Sequence, residues 1–418
     1  MRFILLFATT LFLLCGWINH LDAQTHLISF EKKVSYSKAQ VDSIWKARSI
    51  PLFIAPVKYG VDFYEVMYWT KWHDGSPVKA SGVVLVPTGG KPKAFHLLAY
   101  HHGTKTNRDR DVGFQGEQAI CGAFAVAGFA VAYPDYVGLG KGDKFHLYHH
   151  SETEAYSSID LMRALREMRQ KLGFELSGKV FLSGYSQGGH ATMAAHRYLE
   201  ERHADEFNLV ASSPMSGAYD LTGVQSEVMF RPYTQQGYLP YLLIGYNEAY
   251  KLYPDVDMAF KSPYDTLLTH LFDGTRTLGA VNRLMPPIPK DVLKDEMVED
   301  YLRNPEMPFR KALAANTHLD WAPKRPMQLC YCDADEQVSY RNALVAEERL
   351  TGNGAYSVRA RRTDSRFGHR ECAKFSAMNT KMYFDSFLRG SKKGQKGPLL
   401  KRMLISIARD VQARKNSD

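Results

Sequence analysis

One hexapeptide constrains this chain more than any other feature: Gly184-Tyr185-Ser186-Gln187-Gly188-Gly189. Ahead of it, Gly178 introduces Lys179-Val180-Phe181-Leu182-Ser183, an apolar-centred run that reads as a strand. Behind it, residues 188–202 read as a helix. A serine between a strand and a helix in this pattern sits on a sharp, strained turn. Both flanking positions then need glycine, because a Cβ there would collide with the neighbouring strand or helix. The turn lifts the hydroxyl above the sheet and sets it at a helix N-terminus, where partial positive charge favours a developing anion. Ser186 is therefore the candidate nucleophile, set against the alternative of a chance match in a loop.

The surrounding rhythm fits such a turn. Residues 82–87 form a β-branched run closed by Pro87, and residues 94–100 form a second run that stops at His101-His102-Gly103-Thr104. A helix is predicted over 119–127, with Gly128 as its stop, followed by the strand Phe129-Ala130-Val131-Ala132-Tyr133. Ser157 to Leu172 is amphipathic, with Leu161, Leu165 and Met168 on one face. Strands without alternation, separated by helices, argue for a parallel sheet buried on both faces. Residues 24 to about 75 hold few sharp signals. The stretch 220–322 is rich in aromatics and prolines, many at helical spacing, and strand-helix alternation resumes at Met327–Cys332. The expected class is thus α/β, an α/β-hydrolase fold with a mostly parallel sheet, helices on both faces and a helical cap insertion. Its expected divisions are a core over 24–219 and 323–390, the cap over 220–322 and a basic tail over 391–418.

A serine hydroxyl attacks only when a neighbouring base takes its proton. In this architecture the partners follow in the order Ser, then Asp or Glu, then His. Asp333 and Asp335 both follow the strand 327–332, and Val338 opening the next helix favours Asp335. His369, in Ser365-Arg366-Phe367-Gly368-His369-Arg370, lies between a β-like stretch and the final core helix, and Gly368 leaves the loop free to bend. The oxyanion left by attack needs donors already in place. One is the backbone N–H of Gln187, and the other comes from the loop His102-Gly103-Thr104, with Gly103 at its centre.

These residues resemble the secretory lipases, the lipase A-like family of fungi and bacteria. The resemblance is carried by Tyr133-Pro134-Asp135-Tyr136-Val137-Gly138-Leu139-Gly140, His102-Gly103, Asp160 to Arg163, the hexapeptide around Ser186, Asp335 to Val338, and Gly368-His369. It spans roughly 80–220 and 325–390. It implies an esterase or lipase with a helical cap, acting on a small-molecule or lipid ester without metal or cofactor. It also implies that Asp135 lines the oxyanion hole through its side chain or backbone. Acyl-chain preference does not carry over, because the insertion shows no matching motif. The rival functions are a peptidase or amidase on the same triad, which Glu248 and Asp255 leave open, and a non-catalytic binding protein on the same scaffold.

Arg2, the apolar run Phe3–Leu14 and Leu21-Asp22-Ala23-Gln24 read as a secretory leader over residues 1–23, so a secreted or periplasmic protein is expected. The alternatives are lipid attachment at Cys15 and an uncleaved anchor. Export would permit disulfides among Cys121, Cys330, Cys332 and Cys372. Cys330 and Cys332 face the same way, so either could bond Cys372, or all could be buried thiols. Of the formal charge of +9, nine Lys or Arg against two Asp from Arg389 onward supply +7. The body is close to neutral, which excludes a nucleic-acid surface over it. In the tail Leu400, Met403, Leu404, Ile407 and Val411 recur at helical spacing among cations. That is either a helix for an anionic surface or an ordinary terminal helix packed on the domain with its charges in water. His101-His102, His146 and His149-His150, with Asp143 nearby, read as loop histidines rather than metal ligands. His190 reads as a packing residue, not a second base, and Cys372 as no nucleophile beside Ser186.

Overall fold

The computed structural model describes residues 25–90 and 94–417, so the expected leader, its cleavage after Ala23 and Cys15 lie outside the described residues. Its strands are β1 (Leu27–Tyr36), β2 (Gly60–Lys71), β3 (Pro77–Thr88), β4 (Phe95–His101), β5 (Phe129–Pro134), β6 (Leu176–Tyr185), β7 (Asn208–Met215), β8 (Met327–Cys332) and β9 (Val358–Asp364). They form one sheet in the order β1-β2-β3-β5-β4-β6-β7-β8-β9. The ladders from β1 through β3 to β5 are antiparallel. Those from β5 through β4 to β9 are parallel.

The helices are α1 (Lys38–Ala47), α2 (Gln118–Ala125), α3 (Ser151–Leu172), α4 (Gln187–Arg202), α5 (Tyr238–Tyr250), α6 (Tyr264–Leu271), α7 (Leu278–Asn282), α8 (Asp295–Arg303), α9 (Pro308–Ala315), α10 (Arg341–Gly352), α11 (His369–Leu388) and α12 (Leu399–Ser417). Adjacent residues of the central strands serve opposite cores. Leu98, Val131 and Phe181 pack with Trp45 of α1, Phe124 of α2 and Phe384 of α11. Leu97, Ala130, Val180 and Leu182 pack with Leu161 and Leu165 of α3 and Leu199 of α4. That two-sided burial is why these strands read as unbroken apolar runs.

Two regions differ from the sequence reading. The weakly patterned N-terminal stretch forms β1, α1 and β2 at the antiparallel end of the sheet, and the largely solvated face of β1 blurs its alternation. Helix α3 starts six residues before the expected Ser157, with the His150 side chain as its N-cap. Its first turns bury Glu154, Ser157 and Ser158, so an apolar stripe does not mark them. Between β7 and β8 the chain runs through α5 to α9 and packs a separate cluster around Tyr241, Tyr246, Phe260 and Phe309.

A disulfide joins Cys332, the last residue of β8, to Cys372 in the first turn of α11, with Cα atoms 6.0 Å apart. Cys121 and Cys330 are buried thiols. His101, at the end of β4, is enclosed between Thr192 Oγ1 and Ser158 Oγ, at 2.8 and 2.7 Å. Burial drives its pKa down to about 3, and burial followed by the charge of His73 does the same for His150.

Two stability predictions follow from these groups. The folded-state pKa of His101 and His150 lies below the unfolded value near 6.5, so their contribution is complete above that value and is lost as pH falls from about 6.5 towards about 3. Calorimetry across that window is expected to show a falling melting temperature, with a shallower fall in His101→Gln; equal slopes would contradict it. The disulfide closes a loop of sequence separation 40. The double variant Cys332→Ala/Cys372→Ala is therefore expected to lose about 2–4 kcal/mol in urea unfolding.

Candidate active site

All the expected site residues follow the C-terminal ends of parallel strands, where open α/β sheets form their crevice. Ser186 follows β6 with φ 59° and ψ −120°, a conformation that a residue with a side chain rarely adopts. Its N–H donates to the Met215 carbonyl at 3.0 Å. A Cβ at Gly184 would strike the Gly188 carbonyl, and one at Gly188 would strike the His101 carbonyl of β4. The glycines are therefore required by backbone crowding, as the motif predicts. The strain at Ser186 is held by contacts on three sides.

The candidate acid and base come later, after β8 and after β9. His369 is the first residue of α11 and Asp335 follows β8. The His369 Nδ1 lies 2.9 and 2.8 Å from the two Asp335 carboxylate oxygens. Asp335 Oδ1 also accepts the N–H groups of Gln337 and Val338, at 3.0 and 2.8 Å, so the carboxylate is fixed in place. Asp333 instead pairs with Arg362 at 3.2 Å. The Tyr185 hydroxyl donates to the His369 carbonyl and the two rings stand 4.9 Å apart, which ties the nucleophile turn to the histidine. Gly368 has an extended backbone, so the bend at the loop is not its reason. A side chain there would press on Glu336, whose Oε2 accepts the His369 N–H at 2.9 Å. Burial opposes the Glu336 charge, yet the His369 and Glu336 N–H groups hold that carboxyl below its ordinary range.

Two of the residues expected at the oxyanion hole, Gly103 and Asp135, have other partners in this structure. The Gly103 N–H donates to Glu117 Oε1 at 2.8 Å and is spent there, although Gly103 does lie against Ser186, where an added Cβ would sit 3.5 Å from the Ser186 Cβ. Asp135 is also engaged elsewhere. Its N–H donates to the Ser81 carbonyl at 2.9 Å, and its carboxylate accepts from the Ser81 hydroxyl at 2.6 Å and Arg110 Nε at 2.8 Å. A buried carboxylate already paired with arginine supports the loop from behind rather than offering a proton to an anion. Gln187 begins α4, so its N–H is one of the helix's orphan donors.

Sequence reading missed the carboxylates behind these donors. Glu117, pushed up by burial, also accepts the Tyr100 hydroxyl at 2.9 Å. Glu154 Oε1 accepts from the Gln187 side chain at 2.8 Å, and its Oε2 meets His190 Nδ1 at 2.7 Å. Neither glutamate belongs to a motif, and only the packing of α2 and α3 brings them here. His149, Glu154 and His190 offer ligand atoms within 4.8 Å of one another, a group of metal-binding type. The Glu154–His190 contact and the Asn316 carbonyl on His190 Nε2, at 2.8 Å, already use the Glu154 and His190 atoms, whereas the buried His149 Nδ1 has no hydrogen-bond partner. His190 is thus a buried hydrogen-bonded residue, and the histidines at 146, 149 and 150 lie, as expected, in a loop, one that is itself buried ahead of α3.

Ser186 and Gln187 open onto a cavity of about 60 Å³. Its far wall comes from residues between β7 and β8, among them Leu221, Val228, Met229, Leu242 and Leu313. No Asp, Glu, Lys or Arg among the described residues lines it.

The chain matches the model of the family described as secretory lipase over residues 110–392. Among solved structures it is similar to a ligand-bound form of the rice cell wall degrading esterase LipA from Xanthomonas oryzae. That match has 31% identity, a TM-score of 0.75 and coverage of 86% of this chain and 95% of that one. The Legionella pneumophila protein lpg1103 matches at 25% identity and a TM-score of 0.80, covering 88% of this chain and 99% of that one. Candida antarctica lipase A in its closed state, at 17% identity and a TM-score of 0.66 over 90% of this chain and 84% of that one, supports the fold alone. A search of curated proteins finds no match. The fold is that of the α/β-hydrolases, and the chain belongs to the secretory lipase family, a hydrolase of the lipase and esterase kind.

Proposed function

We propose that this protein is an exported serine esterase that cleaves carboxylic esters through an acyl-enzyme. The observation that carries the reading is the Asp335–His369 hydrogen-bonded pair joined through Tyr185 to a strained serine at a helix head. Ser186 Oγ attacks the ester carbonyl as His369 takes its proton. Asp335, accepting from Nδ1–H, fixes the tautomer that leaves Nε2 as the base. The Gln187 N–H holds the oxyanion, and with the Gly103 amide and the Thr104 hydroxyl engaged, the Thr104 backbone N–H supplies the second donor from the same loop. His369 then returns the proton to the leaving alcohol, and water repeats the sequence in reverse to free the acid.

The apolar cavity favours an acyl group over a charged peptide terminus, so the ester reading stands ahead of the amidase. Glu248 and Asp255 do not line it. The cavity is small and lined by apolar side chains, which favours a short acyl chain over a long one. The segment between β7 and β8 acts as its cap. Export is supported by the family, by the leader-like N-terminus and by a disulfide that persists in an oxidising compartment.

Ser186→Ala is expected to lower turnover of p-nitrophenyl esters by roughly 10⁴-fold or more. Near-normal activity in that variant would remove Ser186 from the mechanism. Across acetate to palmitate esters, kcat/KM is expected to peak near butyrate, and Leu242→Ala to move the peak to longer chains. A palmitate optimum in the parent protein would refute the acyl assignment without touching the nucleophile.

A further inference from the structure

Helix α12 begins at Leu399, beyond the residues that match the family. It is docked on the core by one face. Ile405 is buried against the cluster that includes Met382 and Tyr383. Arg409 bonds the Thr363 carbonyl, Asp410 meets Arg366 at 2.9 Å, and Gln412 meets Lys374 of α11 at 3.3 Å. The lead-in is equally close, since side chains at Gly394 and Gly397 would strike Tyr383 and Met382.

The helix is packed on the domain and Arg402, Asp410, Arg414 and Lys415 are exposed, but its opposite face is apolar. Leu399, Leu400, Met403, Leu404, Ile407 and Val411 are all exposed, between 37% and 68%, and follow one another along a single stripe. Elsewhere among the described residues exposed large apolar side chains stand singly along the chain, apart from the pair Tyr340 and Leu344 at the head of α10. A contiguous apolar stripe in water marks a contact surface. Beside it lies an open cleft of about 810 Å³ between the tail and β9, lined by Arg359, Arg361, Lys393, Lys396, Arg402 and Arg409. Leu399 and Met403 belong to both stripe and cleft. Burial, and then crowding by Arg402 and Arg409, pulls the Arg361 guanidinium below its ordinary range despite the neighbouring Cys330.

We propose that α12 and the basic cleft form a docking surface for an anionic lipid bilayer, with the stripe seated among acyl chains and the cations on phosphate headgroups. The pattern of an apolar face bordered by Lys and Arg is that of a helix lying in the membrane interface. No helix of the described residues is long and apolar enough to cross a membrane, so the contact is peripheral. A second copy of the chain is the poorer occupant, because two faces drawn from a tail of net charge +7 would repel one another.

The test is co-sedimentation of the full mature chain with vesicles of phosphatidylglycerol and phosphatidylcholine in equal parts, beside vesicles of phosphatidylcholine alone. Binding is expected to the anionic vesicles only and to weaken in high salt. The triple variant Leu400→Ser/Leu404→Ser/Ile407→Ser is expected to bind at least about tenfold more weakly. These side chains are exposed, so its melting temperature and its turnover of a soluble ester should match the parent. Absence of binding to anionic vesicles in low salt, or equal binding by parent and variant, would overturn the proposal. So would concentration-dependent dimerisation of the parent that the triple variant abolishes, which would make a second copy the occupant.

Discussion

The approach of β4 to the nucleophile turn, at a separation only glycine permits, is the constraint on which the rest of this structure depends. The His101 carbonyl lies where a Gly188 side chain would be. The turn is therefore pressed against the next strand, and Ser186 is held in a conformation it would otherwise leave. The same closeness carries the loop after β4 past the serine, so Ser186 and Gly103 are set side by side by one backbone contact. His101 is itself buried between Ser158 of α3 and Thr192 of α4, which makes both helices part of that contact.

Around this point the protein places carboxylates behind the groups of the candidate site, Asp335 and Glu154 buried, Glu117 half-buried and Glu336 exposed. Asp335 fixes the histidine ring, Glu336 its backbone, Glu117 the Gly103 amide and Glu154 the Gln187 side chain. Each accepts from a group that would otherwise move. Fixed dipoles need no rearrangement when charge develops, and that is how such sites stabilise an oxyanion. Arg110 and Asp135 act one layer further out, pairing under the loop rather than in the site.

Where a residue's role is dictated by its own backbone, the sequence carries it openly. Gly184, Gly188 and Ser186 are legible because steric crowding leaves few residue types at those positions. The central strands are legible because two-sided burial demands apolar residues throughout. Asp335 and His369 were read from their order along the chain, with Val338 favouring Asp335 over Asp333, and in the structure Asp333 pairs with Arg362 while Asp335 pairs with His369. Glu117 and Glu154 were not legible, since a glutamate on a helix looks the same whether it faces water or a buried amide. The resemblance suggested Asp135 for the oxyanion, but its partner Arg110 sits 25 residues away in the chain and gives no local sign. Helix α12 shows the same limit: periodicity reveals that a stripe exists, and only packing reveals which way it faces.

The segment from α5 to α9 leaves the sheet after β7 and returns at β8, and those two strands are hydrogen-bonded neighbours, with Ser212 beside Met327 and Met215 beside Cys330. Its two ends are thus clamped together by the ladder whatever lies between them. Because loop-closure entropy grows only slowly with length, such a segment can lengthen, shorten or change its packing at little cost to the sheet. The wall of the cavity beside Ser186 can then be rebuilt as a cassette, while Ser186 before it and Asp335 and His369 after it keep their geometry. Under the proposed function, substrate range and reaction chemistry would be separately inheritable.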